Sequence, residues 1–250
     1  MKVDILLPSS LEEIPLSRYQ EFIKMRESSN DEEFIAQKMI QIFCGIKLGE
    51  VAKIKMKDLN ELITHFKKVF DYKPQLVRQF KIKNIEFGFI PKLDDISFGE
   101  YVDLEHHLQD WKSYHKAMAV MYRPIKEKHK DKYSIIDYEP NEDMQELMKF
   151  APLDAAISAS VFFWNLASEL LSSLTSYLQR EMKKMKGSAS IPKGHNLADA
   201  GDGIIQSMRF LEETLPSLIQ LPNYDLLNVS LISPSRSKKR KSKTGNLKDK

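Results

Sequence analysis

Histidine and carboxylate residues near the middle of the chain are the first candidates for chemistry, because these side chains bind metal ions and transfer protons. A zinc site needs three or four ligands that converge on one point, and the His-Glu-x-x-His motif is absent. On a helix, Asp103 and His107 share one face, whereas His106 and Asp110 share another. The spacing therefore favours a solvated polar face and predicts no metal site. His115 falls on an apolar stripe and is interpreted as a hydrogen-bonded core histidine.

The other residue patterns that could indicate a catalytic or ligand-binding site are weak. The single cysteine, Cys44, lies in an apolar helical run and is predicted to be a buried structural thiol. In the Gly-rich segment 187–203, three polar residues (Asn196, Asp199 and Asp202) lack calcium-loop spacing, and Lys193-Gly194 lacks the pattern of a phosphate-binding loop. The sequence predicts no enzyme, no cofactor and no small-molecule substrate.

The strongest local signal is a basic tail, residues 233–250. From Arg236 to Lys250 there are eight lysine or arginine residues and one aspartate, which give a net charge of +7. The remaining 235 residues carry 30 basic and 34 acidic side chains, a net charge of −4. Such a run neutralises phosphates or contacts an acidic partner, although it also fits a solubilising tail, an import signal or a contact with anionic lipid. The predicted contact residues are Arg236, Lys238, Lys239, Arg240, Lys241 and Lys243.

The composition is that of a globular protein. The 250 residues are 42% hydrophobic and 29% charged, which provides for a large core and a solvated surface. The apolar start of the chain is short and contains Asp4, unlike a signal peptide, so synthesis and folding in a cytosol are expected.

The hydrophobic pattern predicts a mainly α protein of the α+β class, with a small β component. Helices are expected over Arg18–Met25, over Asp31–Cys44 with Asn30 and Glu33 as a capping box, and from Leu59 to Phe70. A short N-terminal strand is expected over Val3–Leu7. Alternating apolar residues near 80–90 predict a hairpin, with Asn84 supplying the positive φ of its two-residue turn.

A helix from Ser97 to about Tyr122 is predicted by a second capping box (Ser97 and Glu100) and by Pro124 at its end. Its apolar stripe requires packing along most of its length. The stripe residues expected to pack in an oligomer or against a partner are Tyr101, Leu104, Leu108, Trp111 and Met118.

A short helix after Pro140-Asn141 precedes a long one, from Leu153 to about Lys186. The long helix is apolar over much of its circumference, and Phe162, Phe163 and Trp164 are predicted to pack in an oligomer or against a partner. Asp154 and Glu169, with several serines, argue against a membrane span.

Beyond a loop at 187–203, a helix over Ile204–Leu215 and a strand over Leu226–Ile232 are expected. The predicted organisation is 1–95, an N-terminal α+β region; 96–232, a helical region; and 233–250, the basic tail.

Part of the chain resembles proteins from the structural-gene regions of crAss-like and related tailed phages of gut Bacteroidetes. The resemblance is carried by Phe87–Pro91 continuing through Ser97–Glu105, by Ala117–Ile125, and by the later Phe162-Phe163-Trp164 helix. The resemblance covers about 80–180 and carries no catalytic motif. It implies a virion or tail-assembly role for a protein made in the host bacterial cytoplasm.

The expected function is a virion structural component at the portal or tail, or packaged inside the particle, that acts in assembly or genome delivery. Its expected partners are portal or tail ring and tube proteins, further copies of itself, and packaged DNA through the basic tail. Two alternatives stay open: an assembly chaperone absent from the mature virion, and a nucleic-acid-binding accessory protein that acts through the basic tail.

Overall fold

The computed structural model describes residues 6–71, 75–130 and 132–187, which form a mainly helical α+β body with one four-stranded antiparallel sheet. The helices are α1 (Leu16–Glu27), α2 (Glu32–Cys44), α3 (Leu48–Val51), α4 (Met56–Asp71), α5 (Phe98–Leu108), α6 (Tyr114–Met121), α7 (Glu142–Leu147) and α8 (Leu153–Gly187). The strands are β1 (Gln79–Ile82), β2 (Ile85–Phe89), β3 (Tyr122–His129) and β4 (Lys132–Ile135). The fold class agrees with the prediction. The expected N-terminal strand, for most of its length, and every element predicted after 187 lie outside the described residues.

Helix α2 starts and stops through local signals in its sequence. The Asp31 carboxylate accepts hydrogen bonds from the backbone N–H of Glu33 (3.0 Å) and Phe34 (3.2 Å), so it satisfies donors that the first turn leaves free. The predicted cap, Asn30, is therefore one residue too early. Gly45 ends the helix with φ of +67°, a conformation that side chains other than glycine adopt at a cost.

The predicted hairpin near 80–90 is confirmed, and its register pairs Phe80 with Phe87 and Ile82 with Ile85. The positive φ of its turn falls on Lys83 (54°) and not on Asn84. The sheet has the order β1-β2-β3-β4, so β2 pairs with β3 and a second hairpin, β3–β4, continues the sheet.

The single helix predicted over 97–122 is wrong, because the segment divides into α5, α6 and the start of β3. At the break, Asp110 forms a local turn: its carboxylate accepts from the backbone N–H of Lys112 and its carbonyl from the Ser113 hydroxyl. Such side-chain bonds compete with helix continuation. Pro124 then favours an extended backbone at Arg123, so the chain leaves α6 directly into a strand.

An aromatic cluster forms the centre of the helical part of the core. The Phe43 ring lies 5.3 Å from Phe22, 5.5 Å from Phe66 and 5.3 Å from Phe70, measured between ring centroids, and Phe43 is fully buried. Residues from both sides of position 95 belong to the same hydrophobic core, and β2 pairs with β3 across it. The predicted boundary at 95 thus divides the sequence but not the core.

Helix α8 begins inside the body, where every residue from Ala155 to Ser160 is buried. The segments that precede α1 and α8 pair in antiparallel fashion: the Leu16 N–H donates to the Ala151 carbonyl and the Leu153 N–H to the Ile14 carbonyl, both at 2.9 Å. None of the described helices combines the length and apolar character that a membrane span requires.

Gly88 in β2 is expected to tolerate no side chain. A Cβ built there would clash with the Tyr133 ring and lie 3.1 Å from the Ile125 side chain. Gly88→Ala should therefore destabilise the protein by about 1–3 kcal/mol, the usual cost of overpacking, as measured by urea unfolding. Gly49→Ala is the matched control: a Cβ there meets nothing within 4 Å, and alanine favours the helix by up to ~1 kcal/mol. Equal stability of the two variants would contradict the close approach.

Candidate interaction surface

The residues predicted to pack in an oligomer or against a partner occupy different environments. Leu104, Trp111 and Met118 are buried in the protein's own core, and Leu108 is half-buried against it. Leu104, Trp111 and Met118 therefore complete the interior of the chain and present no surface to a partner. Their burial corrects the interpretation of the whole stripe as a contact face. Tyr101 alone of the five is exposed, at 55%.

The aromatic residues of α8 lie at the edge of the core. Phe162 and Phe163 are half-buried, with ring centroids 5.5 and 6.1 Å from that of Phe89. Trp164 is also half-buried, and its indole Nε1 is buried without a hydrogen-bond partner among the described residues. Phe162 and Phe163 therefore pack against the sheet through Phe89.

Three apolar residues at the start of α5 face solvent. Phe98 is 83% exposed, Tyr101 55% and Val102 43%, and their spacing of three and four residues places them on one side of the helix. We call them the α5 apolar face. Phe98 and Val102 were not among the residues predicted from the sequence, although the same spacing was visible there.

The opposite side of α5 is held by a buried ion pair. The Glu100 carboxylate accepts a hydrogen bond from the Arg123 guanidinium at 2.6 Å, and the two side chains are only 7% and 11% exposed. The second carboxylate oxygen of Glu100 accepts from the Ser97 N–H at 2.7 Å, which completes the predicted capping box. The Arg123 Nε is buried without an acceptor among the described residues, so Arg123 depends on Glu100 for its counter-charge.

Tyr138 extends this network. Its hydroxyl donates to the Asp103 carboxylate at 2.6 Å, and the Arg123 guanidinium carbon lies 5.9 Å from its ring centroid. Burial raises the pKa of Tyr138, and the bond to Asp103 raises it further. Tyr138 is therefore protonated at neutral pH and fixes the 135–141 segment to α5.

Beside the network is an open pocket of about 430 Å³, which we call the Arg123 pocket. The half-buried side chains of Arg123, Pro124, Ile135 and Met144 contribute to its interior. Its exposed rim residues are Lys126, Ile136, Asp137, Glu139 and Asn141. The volume is in the range of ligand pockets. Pro124, Ile135 and Met144 give the interior an apolar part, which lies beside the polar side chains of Arg123 and Gln145.

The histidine cluster does not converge on a metal. Among the described residues, no group of three or more His, Cys, Asp or Glu side chains is placed to hold an ion. His115 is buried and its Nδ1 lies 3.0 Å from the Gln20 amide nitrogen, which confirms the predicted core histidine. Burial, followed by the charge of Lys149, lowers the pKa of His115 to about 4.

Cys44 is buried, as predicted. Burial raises the pKa of its thiol to about 11, so the thiolate required of a nucleophile is scarce at neutral pH. The six basic-tail residues predicted to contact a polyanion lie outside the described residues.

Comparison with protein-family models, with curated proteins and with solved structures finds no match to this chain.

Proposed function

We propose that the protein is a non-enzymatic structural component of a tailed-phage virion, at the portal or tail or packaged within the particle, and that it docks on a neighbouring virion protein through the α5 apolar face. The α5 apolar face is the observation that carries the proposal. Single exposed apolar residues are common, but adjoining ones on a rigid element are typical of protein contact sites. Burying them in an interface is favourable by roughly 25 cal/mol per Å² of apolar surface.

The α5 apolar face is also preorganised. The capping box fixes the first turn of α5, and the Glu100–Arg123 pair and Leu104 fix its inner side. Because little backbone freedom remains to be lost on binding, more of the contact energy is available as affinity. A helix presented in this way suits a contact repeated in a ring or tube.

The phage assignment is supported by the resemblance of 80–180 to crAss-like structural-region proteins, a stretch that includes α5. The acidic body and basic tail also suit a particle interior, where the tail reaches packaged DNA. An assembly chaperone would use the same α5 apolar face, so mass spectrometry of purified virions distinguishes the two: tens of copies per particle support a structural role, and absence supports a chaperone.

Substitution of the α5 apolar face should abolish docking without unfolding the protein. For Phe98→Ser combined with Val102→Asp, we expect affinity for the neighbouring virion protein to fall about 30-fold or more, as for loss of an interface hot spot. Binding is measured by biolayer interferometry against the individually purified structural proteins of the particle.

The matched control is Phe150→Ser, because Phe150 is a 61% exposed aromatic residue outside the α5 apolar face. It should leave both binding and melting temperature unchanged. Unaltered binding by the double variant, at an unchanged melting temperature, would reject the α5 apolar face as the docking site.

A further inference from the structure

The Arg123 pocket is bordered by an unusually acidic stretch of chain. Residues 137–146, the acidic segment, hold five carboxylates and no lysine or arginine: Asp137, Glu139, Glu142, Asp143 and Glu146. All five residues are exposed, and one of them, Glu146, is paired with Lys149 at 2.6 Å. Asp137 and Glu139 are also on the pocket rim, where Lys126 is the one basic residue. A partly apolar pocket thus adjoins a negatively charged surface.

The chain contains the complementary pattern in its own C-terminal part. The apolar run Leu226–Ile232 is followed, after Ser233-Pro234-Ser235, by the cations Arg236–Lys243. In this part of the chain, the positive run begins four residues after the apolar run ends. The body has the complementary arrangement, because the rim of the Arg123 pocket includes the first residues of the acidic segment. Oppositely charged surfaces of this kind select a partner and fix its orientation.

The connection is long enough for this contact to form within one chain. From the end of α8 at Gly187 to Leu226 there are 38 intervening residues, which span up to about 130 Å when extended. The 35 residues of α8 measure only about 50 Å. The C-terminal part can therefore return along α8 to the body without strain.

We propose that segment 226–243 of the chain docks on its own body, with side chains of Leu226–Ile232 in the Arg123 pocket and the cations of Arg236–Lys243 against the acidic segment. Docking occupies the same cations that would contact nucleic acid. The body thus competes with DNA for the basic tail, and the tail binds a polyanion only when that polyanion displaces it.

The proposal is tested in the full-length protein with a benzophenone amino acid at Ile136, a pocket-rim residue that is 39% exposed. After irradiation, cross-linked peptides are mapped by mass spectrometry. We expect cross-links to 226–243, and none from the same probe at Ile85, an equally exposed residue (40%) beside the hairpin turn. When isotope-labelled and unlabelled protein are mixed before irradiation, each cross-link should join two peptides that carry the same label.

Charge exchange supplies the second readout. Reversing four cations to glutamate (Lys238, Lys239, Arg240 and Lys241) should lower cross-link yield about tenfold, because several exposed ion pairs are lost together. Adding Asp137→Lys and Glu139→Lys to that variant should recover much of the yield. Salt at about 1 M, where the Debye length is about 3 Å, should also reduce it.

Other outcomes overturn the proposal. They are cross-links between differently labelled chains, cross-links to parts of the chain outside 226–243, reaction with a bound small molecule, and a yield insensitive to charge reversal. None of these variants changes the α5 apolar face, so failure here leaves the docking function standing, and failure of docking leaves this contact standing.

Discussion

Replacing Glu100 by glutamine should destabilise the protein by about 3–5 kcal/mol, because the buried Arg123 guanidinium would lose its counter-charge. Arg123 and Glu100 are only 11% and 7% exposed, so water screens the loss weakly. The free energy of unfolding is measured by urea denaturation. Glu105→Gln, an exposed site on the same helix, is the control and should change stability by less than about 0.5 kcal/mol.

A double-mutant cycle separates the interaction energy of the Glu100–Arg123 ion pair from the individual contributions of the two side chains. Glu100→Met with Arg123→Met removes both charges and leaves apolar side chains of similar length. The double variant should be more stable than either single variant, since no unpaired charge remains buried. If the two single effects simply add, the ion pair is not coupled as the geometry indicates.

Phe43→Ala should cost about 3–5 kcal/mol, because it opens a cavity among Phe22, Phe66 and Phe70. These rings come from α1 and α4, which pack on α2 through Phe43. Thermal and urea unfolding both measure the loss. Phe150→Ala removes the same ring from a 61% exposed site and should stay within about 0.5 kcal/mol of the parent. A loss below about 1 kcal/mol for Phe43→Ala would place the centre of the core elsewhere.

Local signals explain which elements were predictable. Gly45, Pro140-Asn141 and Pro152 mark helix ends through backbone chemistry that acts within a few residues, so α2, α8 and the start of α7 were found to within one or two residues. In the first hairpin, β1 alternates because Phe80 and Ile82 are buried and Lys81 is exposed. The second hairpin is rich in lysine, and its strand residues other than Tyr122 are exposed or half-buried, so no clear alternation of apolar and polar residues marks it in the sequence.

The candidate site depended on contacts that local patterns do not encode. Tyr101, Leu104 and Trp111 were predicted to share one contact face. Leu104 lies three residues after Tyr101 on α5 but on its buried side, and Trp111 was added because the stripe was drawn on an unbroken helix. The break at Asp110 turns α6 into the core. The Glu100–Arg123 pair joins residues 23 positions apart, and no periodicity relates an acid on a helix to a cation on a strand.

The pairing of Ile14–Leu16 with Ala151–Leu153 also sets an order of events during translation. Leu16 is synthesised roughly 7–30 seconds before Leu153, at about 5–20 residues per second. During that interval the Leu16 N–H and the Ile14 carbonyl lack the backbone groups that they bond in the finished protein. A nascent chain arrested before Leu153 is therefore open to proteases and chaperones at its N-terminal end, and closure of the body is timed by synthesis of the first turn of α8.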